Sequence, residues 1–379
     1  MLRTANLATP APMCSRLSAM RKNRRSHSKK VGLPPGSLVH VGEVKTAHAE
    51  FSLLRYDAAQ VEEQGAKLLS GLDLHRGENE TLWLNLYGLQ DPALMAELGR
   101  VFKLHPLVLE DILNTDQRPK LDSYGDYLFL VARFFSYDKA TMTIGSEQVS
   151  IILGRDFVLT FQERKTGSFD PVRERLRTDK GIVRKSGADY LAYSLLDIVV
   201  DRYFLVLEQV GDDCESLEEA LLSKPTAAML QRIHKLKRET MELRRAIWPL
   251  REVVNGMIRN DGNFFQPATI PYLRDVYDHT VHLIESLESV RDLLAGMLDI
   301  YLSSISNRVN MEVRALTVVA MLFMPASLIA GIFGMNFKVM PMLQDPDGFW
   351  LAMGIMVGIA IVMGAIFWRR QWLGRQHDK

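Results

Sequence analysis

The chain has 379 residues, with 46 Lys+Arg against 45 Asp+Glu, a net charge of +1 and near-zero mean hydropathy. Such a length allows two or three domains, and the hydropathy fits a soluble body with a minor membrane part. The balanced charge argues against a nucleic-acid partner, and Cys14 and Cys214 lie too far apart for metal-type or redox spacing, so a reducing cytoplasm is the default for the body.

Residues 1–42 contain no Asp or Glu and cluster Arg21, Lys22, Arg24, Arg25, Lys29 and Lys30. No apolar core follows these charges, which excludes a secretory signal. A basic disordered extension is the preferred reading.

Residues 43–187 read as a mixed α/β domain. A strand enters over 43–57, and Leu82, Leu84 and Leu86 alternate as in a half-buried strand. Helices are predicted at Pro92 to Phe102 and Pro106 to Leu113, each with proline near its start. Tyr127 to Phe135 is a long apolar strand. Val149 to Leu153 and Phe157 to Phe161 flank Gly154-Arg155-Asp156, a hairpin signal.

Residues 188–270 read as paired long helices, the first ended by Pro225 and the second running roughly over 226–258. The first is acidic at Asp212, Asp213, Glu215, Glu218 and Glu219. The second is basic at Arg232, Lys235, Lys237, Arg238, Arg244 and Arg245. Pairing between the helices and two separately solvated faces both fit this pattern.

Pro271 opens the longest helix, predicted over 271–333 with no breaker before Pro325. Leu283, Leu287, Val290, Leu294, Met297 and Tyr301 form a helix-association seam. A second seam keeps the same rhythm through Gly296, Asp299, Ser303, Ser306, Asn310, Val313, Thr317, Ala320, Met324, Ser327, Gly331 and Gly334. Small and polar residues dominate it, and polar groups inside a membrane are costly unless they face water or a partner. Close helix packing through small residues is the plainer explanation; a water-filled pore is preferred.

Ala315 to Phe333 and Phe349 to Trp368 carry no charge, and each is long enough to cross a bilayer core of ~30 Å. A loop over 334–348 joins them, so both long ends lie on one side of the membrane. Arg308 and Arg314 precede the first span, and Arg369, Arg370 and Arg375 follow the second in a basic tail over 369–379. Both termini are therefore predicted to be cytoplasmic. Gly354 and Gly358 give the second span a close-packing face. One helical hairpin cannot enclose a pore, so the polar seam demands a cyclic oligomer with the long helix innermost. Gly334-Met335-Asn336 stands at the mouth of the first span. On these residues alone, an ion-recognition turn and a short turn with a chance Asn are equally open.

The run from Phe323 to Phe337, Phe-Met-Pro-Ala-Ser-Leu-Ile-Ala-Gly-Ile-Phe-Gly-Met-Asn-Phe, resembles the pore-end signature of the CorA magnesium channels. His105 to Asn114, Gln117 to Lys120, Asp170 to Arg175, Ile247 to Glu252 and Arg274 to His279 resemble blocks of that family's soluble domain, in order. The resemblance runs from about residue 45 to the end. It implies a homopentameric funnel: an α/β cytoplasmic domain, a long helical stalk and two C-terminal transmembrane helices. The partners are then the lipid bilayer, divalent cations and copies of the chain, with no nucleic acid and no other protein implied. The bacterial inner membrane is the expected location; the family's mitochondrial relatives make a transit peptide and the mitochondrial inner membrane the less favoured reading.

Mg²⁺ holds its waters tightly and prefers octahedral oxygen, so rings of neutral donors can recognise its hydration shell. The selectivity filter is expected at Gly334, Met335 and Asn336. Asn310 and Thr317 would contact the hydrated ion further in, beside Ser303, Ser306, Ala320, Ser327 and Gly331. Val313, Leu316 and Met324 would be apolar constrictions, and Asp299 an acidic ring at the exit. By resemblance, Asp111 and Asp275, with Glu110 beside them, hold a regulatory divalent ion between subunits. Mg²⁺ is thus expected as transported and regulatory ion, with Co²⁺, Ni²⁺ or Zn²⁺ as alternatives.

Two departures stand out. Lys338 follows Phe337 where the family often carries acids, leaving Asp345 and Asp347, and Phe333 replaces the usual Tyr before Gly334. The rival readings are a zinc, cobalt or nickel transporter of the ZntB kind and a non-conducting membrane sensor. ZntB-like chains carry Val between the Gly and Asn, so Met335 favours magnesium. There is no phosphate loop, Cys–His cluster or HExxH to suggest an enzyme.

Overall fold

The computed structural model describes residues 31–75, 77, 79–259, 262–336 and 345–370. In chain order the elements are β1 (Glu50–Tyr56), β2 (Val61–Ala66), β3 (Thr81–Tyr87), α1 (Pro92–Val101), α2 (Pro106–Leu113), β4 (Lys120–Ser123), β5 (Leu128–Asp138), β6 (Thr143–Leu153), β7 (Phe157–Gln162), α3 (Asp170–Arg177), α4 (Ala188–Ser223), α5 (Ala227–Arg259), α6 (Ile270–Phe333) and α7 (Gly348–Arg369). The chain divides into two compact units. The first holds residues 1–218 and 231–295, the second residues 219–230 and 296–379, so α6 contributes to both.

The first unit is built on a seven-stranded sheet in the order β2-β1-β3-β7-β6-β5-β4. Every neighbouring pair is antiparallel except β3 and β7, which run parallel with Leu82 opposite Phe157. That pair is central, and β3 is buried along its whole length. Its alternating leucines face a core with Leu94, Leu98, Val108 and Ile112 of α1 and α2. Two of its buried polar donors are paired inside the sheet: Trp83 Nε1 donates to Thr160 at 3.0 Å and Asn85 Nδ2 to Gln162 at 2.9 Å, while Asn85 Oδ1 is buried without a partner among the described residues. The two short helices start where proline and a capping side chain coincide. Asp91 accepts from the N–H groups of Ala93 and Leu94, and His105 Nδ1 accepts from Leu107.

Several boundaries differ from the sequence reading. The strand expected over 43–57 is the shorter β1, followed by β2 at the sheet edge. The N-terminal segment joins the fold before residue 43. Val41 is buried; its N–H donates to Leu113 O at 2.9 Å and its carbonyl accepts from Thr115 N–H at 3.0 Å. Gly42 has φ +137°, and a Cβ there would meet Thr115 Oγ1 at 2.0 Å, so only glycine fits this turn. Residues 1–30, with their basic cluster, lie outside the described residues.

Two acids of the α4 row meet the β5–β6 hairpin. Asp213 accepts from the Tyr137 hydroxyl at 2.6 Å, and Asp212 pairs with Lys139 at 3.3 Å. The basic row of α5 meets the same β5–β6 hairpin, where Arg232 contacts Met142 and Lys235 donates to Thr141 O. Arg244 pairs with Glu288 of α6 at 3.4 Å. Residues at and near the hairpin tip thus partner some of the charges for which pairing between the helices and solvated faces were both open. Cys214 is a free, buried thiol pushed up to about 12, first by burial and then by Asp213, so it is chemically inert.

The second unit contains the turn of the α4–α5 pair, the C-terminal part of α6, and α7. Only 6% of the apolar window of each of the two long apolar helices is buried within the chain. Leu316, Phe323, Leu328 and Trp350 are more than half exposed. A water-soluble protein cannot leave two such helices bare; these faces require lipid or other copies of the chain.

Candidate functional site

The end of α6 carries the tripeptide. Gly334 N–H donates to Ala330 O at 2.9 Å and Met335 N–H to Ile332 O at 3.2 Å, closing the helix. A Cβ on Gly334 would approach Ala330 O at 3.2 Å, so a side chain would crowd this turn. Asn336 follows in irregular, exposed backbone. A helix C-terminus presents carbonyl oxygens and the negative end of the peptide dipoles. The amide of Asn336 therefore stands just beyond a surface already favourable to a cation.

Along α6 the expected pore residues are open to the surroundings of a single chain. Asp299, Ser303, Ser306, Asn310, Val313, Ala320, Met324, Ser327, Gly331 and Gly334 are exposed, and Thr317 is half-buried. Leu316 is 70% exposed and Met324 66% exposed. Thr317 donates its hydroxyl proton to Val313 O at 2.8 Å. Its oxygen therefore offers only lone pairs outward, which suits the donating waters of a hydrated cation. By contrast Leu283, Leu287, Leu294 and Met297 of the other seam are fully buried inside the chain. The two stripes are thus distinct: one serves the fold and one remains unpartnered. Around Gly354 and Gly358 of α7 the space is open, and none of the described residues packs on them. Lys338, Met342 and Arg375 fall outside the described residues.

The acids expected at the regulatory site are not brought together in one chain. Glu110 and Asp111 are adjacent on α2 but face different partners. Glu110 accepts from Gly36 N–H at 2.5 Å. Asp111 accepts from Gln117 Nε2 at 2.6 Å and pairs with Lys120 Nζ at 2.7 Å. Asp275 lies on α6 with its side chain 66% exposed, 3.9 Å from His279. Among the described residues no group of three His, Cys, Asp or Glu side chains could hold a metal ion.

The structure adds Asp197 and Asp201 of α4 to this face. The Asp197 carboxyl is pushed up to about 6, chiefly by burial and then by the charge of Asp201, with Arg175 and His279 opposing and Asp275 adding to the rise. The sequence signal was there in two acids four residues apart inside an apolar helical pattern, where like charges repel. The hydrophobic period of that stretch masks it, because Asp197 sits among the buried positions Leu195, Leu196 and Ile198.

An α/β body joined to a long helix, with two exposed apolar helices at the C-terminal end and an exposed stripe of small and polar residues along α6, defines an integral membrane protein. Known proteins make the class specific. Residues 78–370 match the family of CorA-like Mg²⁺ transporter proteins. The chain is 43% identical over 346 residues to the cobalt/magnesium transport protein CorA of Thermotoga maritima, covering 91% of this chain and 98% of that one. The complete CorA magnesium transporter of Methanocaldococcus jannaschii superposes with a TM-score of 0.73 at 23% identity, covering 86% of this chain and 99% of that one. The full-length CmaX protein superposes with a TM-score of 0.68 at 21% identity, covering 87% of this chain and all of that one. The chain belongs to the CorA-like Mg²⁺ transporter family.

Proposed function

We propose that this chain forms a passive Mg²⁺ uptake channel, a homopentamer gated by cytoplasmic Mg²⁺ bound between subunits. One observation carries the reading: the exposed small and polar seam of α6 runs without interruption into Gly334-Met335-Asn336. A cyclic assembly burying this seam at its axis gives it water and symmetry at once. Asn336 amides then meet the hydrated ion at the mouth. Thr317 and Asn310 replace part of bulk water's hydrogen bonding further in, and Val313, Leu316 and Met324 form rings able to close by dewetting. Asp299 provides a ring of acids at the cytoplasmic exit. In this reading both termini face the cytoplasm of a cell whose inner membrane holds the channel, as the basic residues Arg308, Arg314, Arg369 and Arg370 flanking the spans favour.

Gating follows from the acids. An ion between Asp111 of one subunit and Asp275 of the next neutralises two facing carboxylates and fastens a closed ring; its loss frees the subunits to move. In this chain the ion must first displace Lys120 from Asp111, which makes the site responsive instead of permanently filled. Asp197 and Asp201 add negative potential on the Asp275 side. Glu110, which accepts from Gly36 N–H, stands beside Asp111 and adds negative charge to the site.

Cobalt transport by the Thermotoga relative supports Co²⁺ as a second permeant ion. The test is flux in liposomes containing the purified protein, with Mg²⁺, Co²⁺, Ni²⁺ and Zn²⁺ outside in turn. Mg²⁺ entry without an applied proton gradient is expected. Zn²⁺ entry that exceeds it, or depends on a proton gradient, would favour the ZntB-like reading, and no flux of any ion would favour a sensor.

A further inference from the structure

In the first unit, a cavity of about 790 Å³ lies among the end of β1, the segment before β3, the β6–β7 turn and the approach to α4. Arg155 enters it from the turn; Arg184 and Lys185 enter it from the 3₁₀ turn Val183–Lys185. Three carboxylates also line it, but they are engaged. Asp57 accepts from the N–H groups of Ala59 and Gln60 at 2.7 and 2.8 Å, which holds its carboxyl below the usual range. Glu80 accepts from Gly77 N–H at 2.8 Å and lies 3.9 Å from Arg55. Asp156 is likewise partnered.

The cations are engaged more loosely: Arg184 acts on Asp57 only through its charge, the smallest of the influences on that carboxyl. None of the three forms an ion pair among the described residues. Arg184 Nε is buried with no hydrogen-bond partner. Tyr56, which also lines the cavity, is 1% exposed, and its hydroxyl faces Thr81 without a well-formed hydrogen bond. Ser186 and Gly187 complete the wall directly before α4, a helix of 36 residues whose first N–H groups and dipole favour an anion. The acid in that first turn does not compete, because Asp189 accepts from Gln266 N–H and the Thr269 hydroxyl. The unsatisfied polarity of the cavity is therefore on the donor side.

We infer that this cavity is a binding site for a polyphosphate anion, held by Arg155, Arg184 and Lys185 at the N-terminus of α4. Guanidinium groups take phosphate oxygens in charge-assisted pairs. No exposed aromatic ring lines the cavity to stack a base, so the phosphate chain itself is recognised. Mg²⁺ on that chain cancels two of its charges and weakens the grip. Resting on the proposed function, the site then reports Mg²⁺-free polyphosphate, the counterpart of the free ion read at Asp111 and Asp275.

The test is calorimetric titration of the purified full-length protein with tripolyphosphate in metal-free, low-salt buffer. Saturable binding is expected, with ATP no tighter and sulfate much weaker. Adding Mg²⁺ equimolar with the anion should weaken binding, and Arg155→Gln with Arg184→Gln should weaken it about tenfold. Arg155→Gln alone, on an exposed turn, carries the test if the double variant unfolds, with a loss of about threefold. Absence of binding, affinity unchanged in a folded variant, or tighter binding of ATP overturns the inference. Tripolyphosphate binding in a protein that passes no Mg²⁺ would remove the channel reading and leave this site standing.

Discussion

Lys120 offers a sharp test of how the regulatory ion is held. Its ammonium lies 2.7 Å from both Asp111 and Asp122, with side-chain exposures of 32%, 20% and 40% for Lys120, Asp111 and Asp122. Burial works against its charge, but the two carboxylates outweigh that and its pKa is raised. A divalent ion reaching Asp111 must break this pair, worth about 1 kcal/mol at such partial exposure. It must also sit near the ammonium: a unit charge ~6 Å from a divalent ion contributes about 1.4 kcal/mol of repulsion at water's dielectric, less once salt screens it. Lys120→Gln removes both. Allowing for screening, about 1.4 kcal/mol remains, a tenfold change. Protection of the purified protein from protease, titrated with Mg²⁺, should therefore reach its midpoint at about one tenth of the wild-type concentration. Lys139→Gln, which loses only its exposed pair with Asp212, should leave the midpoint unchanged. A midpoint for Lys120→Gln equal to or above wild type would refute the displacement of Lys120 by the ion.

Asp275→Ala should raise the Mg²⁺ concentration needed for protease protection by tenfold or more; equal protection in variant and wild type would remove Asp275 from ion sensing. For Asp197 the sign follows from a carboxyl pushed up to about 6. The folded state holds its proton more tightly than the unfolded chain, so raising the pH from about 4 to 6 costs stability. Asp197→Asn should then raise the metal-free melting temperature at pH 7, by about 1 kcal/mol of stability after allowing for partial solvation, and the gain should vanish below about pH 4. A gain that persists at pH 4 would contradict this. Lys338→Glu should increase Mg²⁺ entry at low external concentration, with the gain shrinking as salt screens it; unchanged entry at low salt would place Lys338 away from the ion path.

Much of the fold was legible because its strongest signals are long. The apolar spans, the 64-residue α6 and the proline-started helices α1 and α2 each repeat one local rule over many residues. The edge strands were not. β2, Val-Glu-Glu-Gln-Gly-Ala, and β4, Lys-Leu-Asp-Ser, pair on one side only and stay partly wet, so they lack apolar alternation. Half of β6 was missed for a related reason: Thr143 to Glu147 pairs with β5 but is only partly buried.

At the site, the tripeptide was legible as a motif, and the exposed α6 seam lies where its periodicity put it. The partners of charged side chains were not legible. Nothing in sequence spacing says that Asp213 meets Tyr137 from 76 residues away or that Lys120 holds Asp111. Charge rows on neighbouring helices left pairing and solvation equally open, and the β5–β6 hairpin supplied partners for some of them. Such choices depend on tertiary distance, which local patterns do not encode.

The central claim is conduction of Mg²⁺ past Asn336. Liposomes carrying an internal Mg²⁺-sensitive dye and purified wild type or Asn336→Ala, each verified as an intact oligomer by its size in detergent, measure it directly. Wild type should admit Mg²⁺ down its gradient and Asn336→Ala should admit none above empty liposomes. Mg²⁺ entry through a correctly assembled Asn336→Ala protein at the wild-type rate would contradict the account.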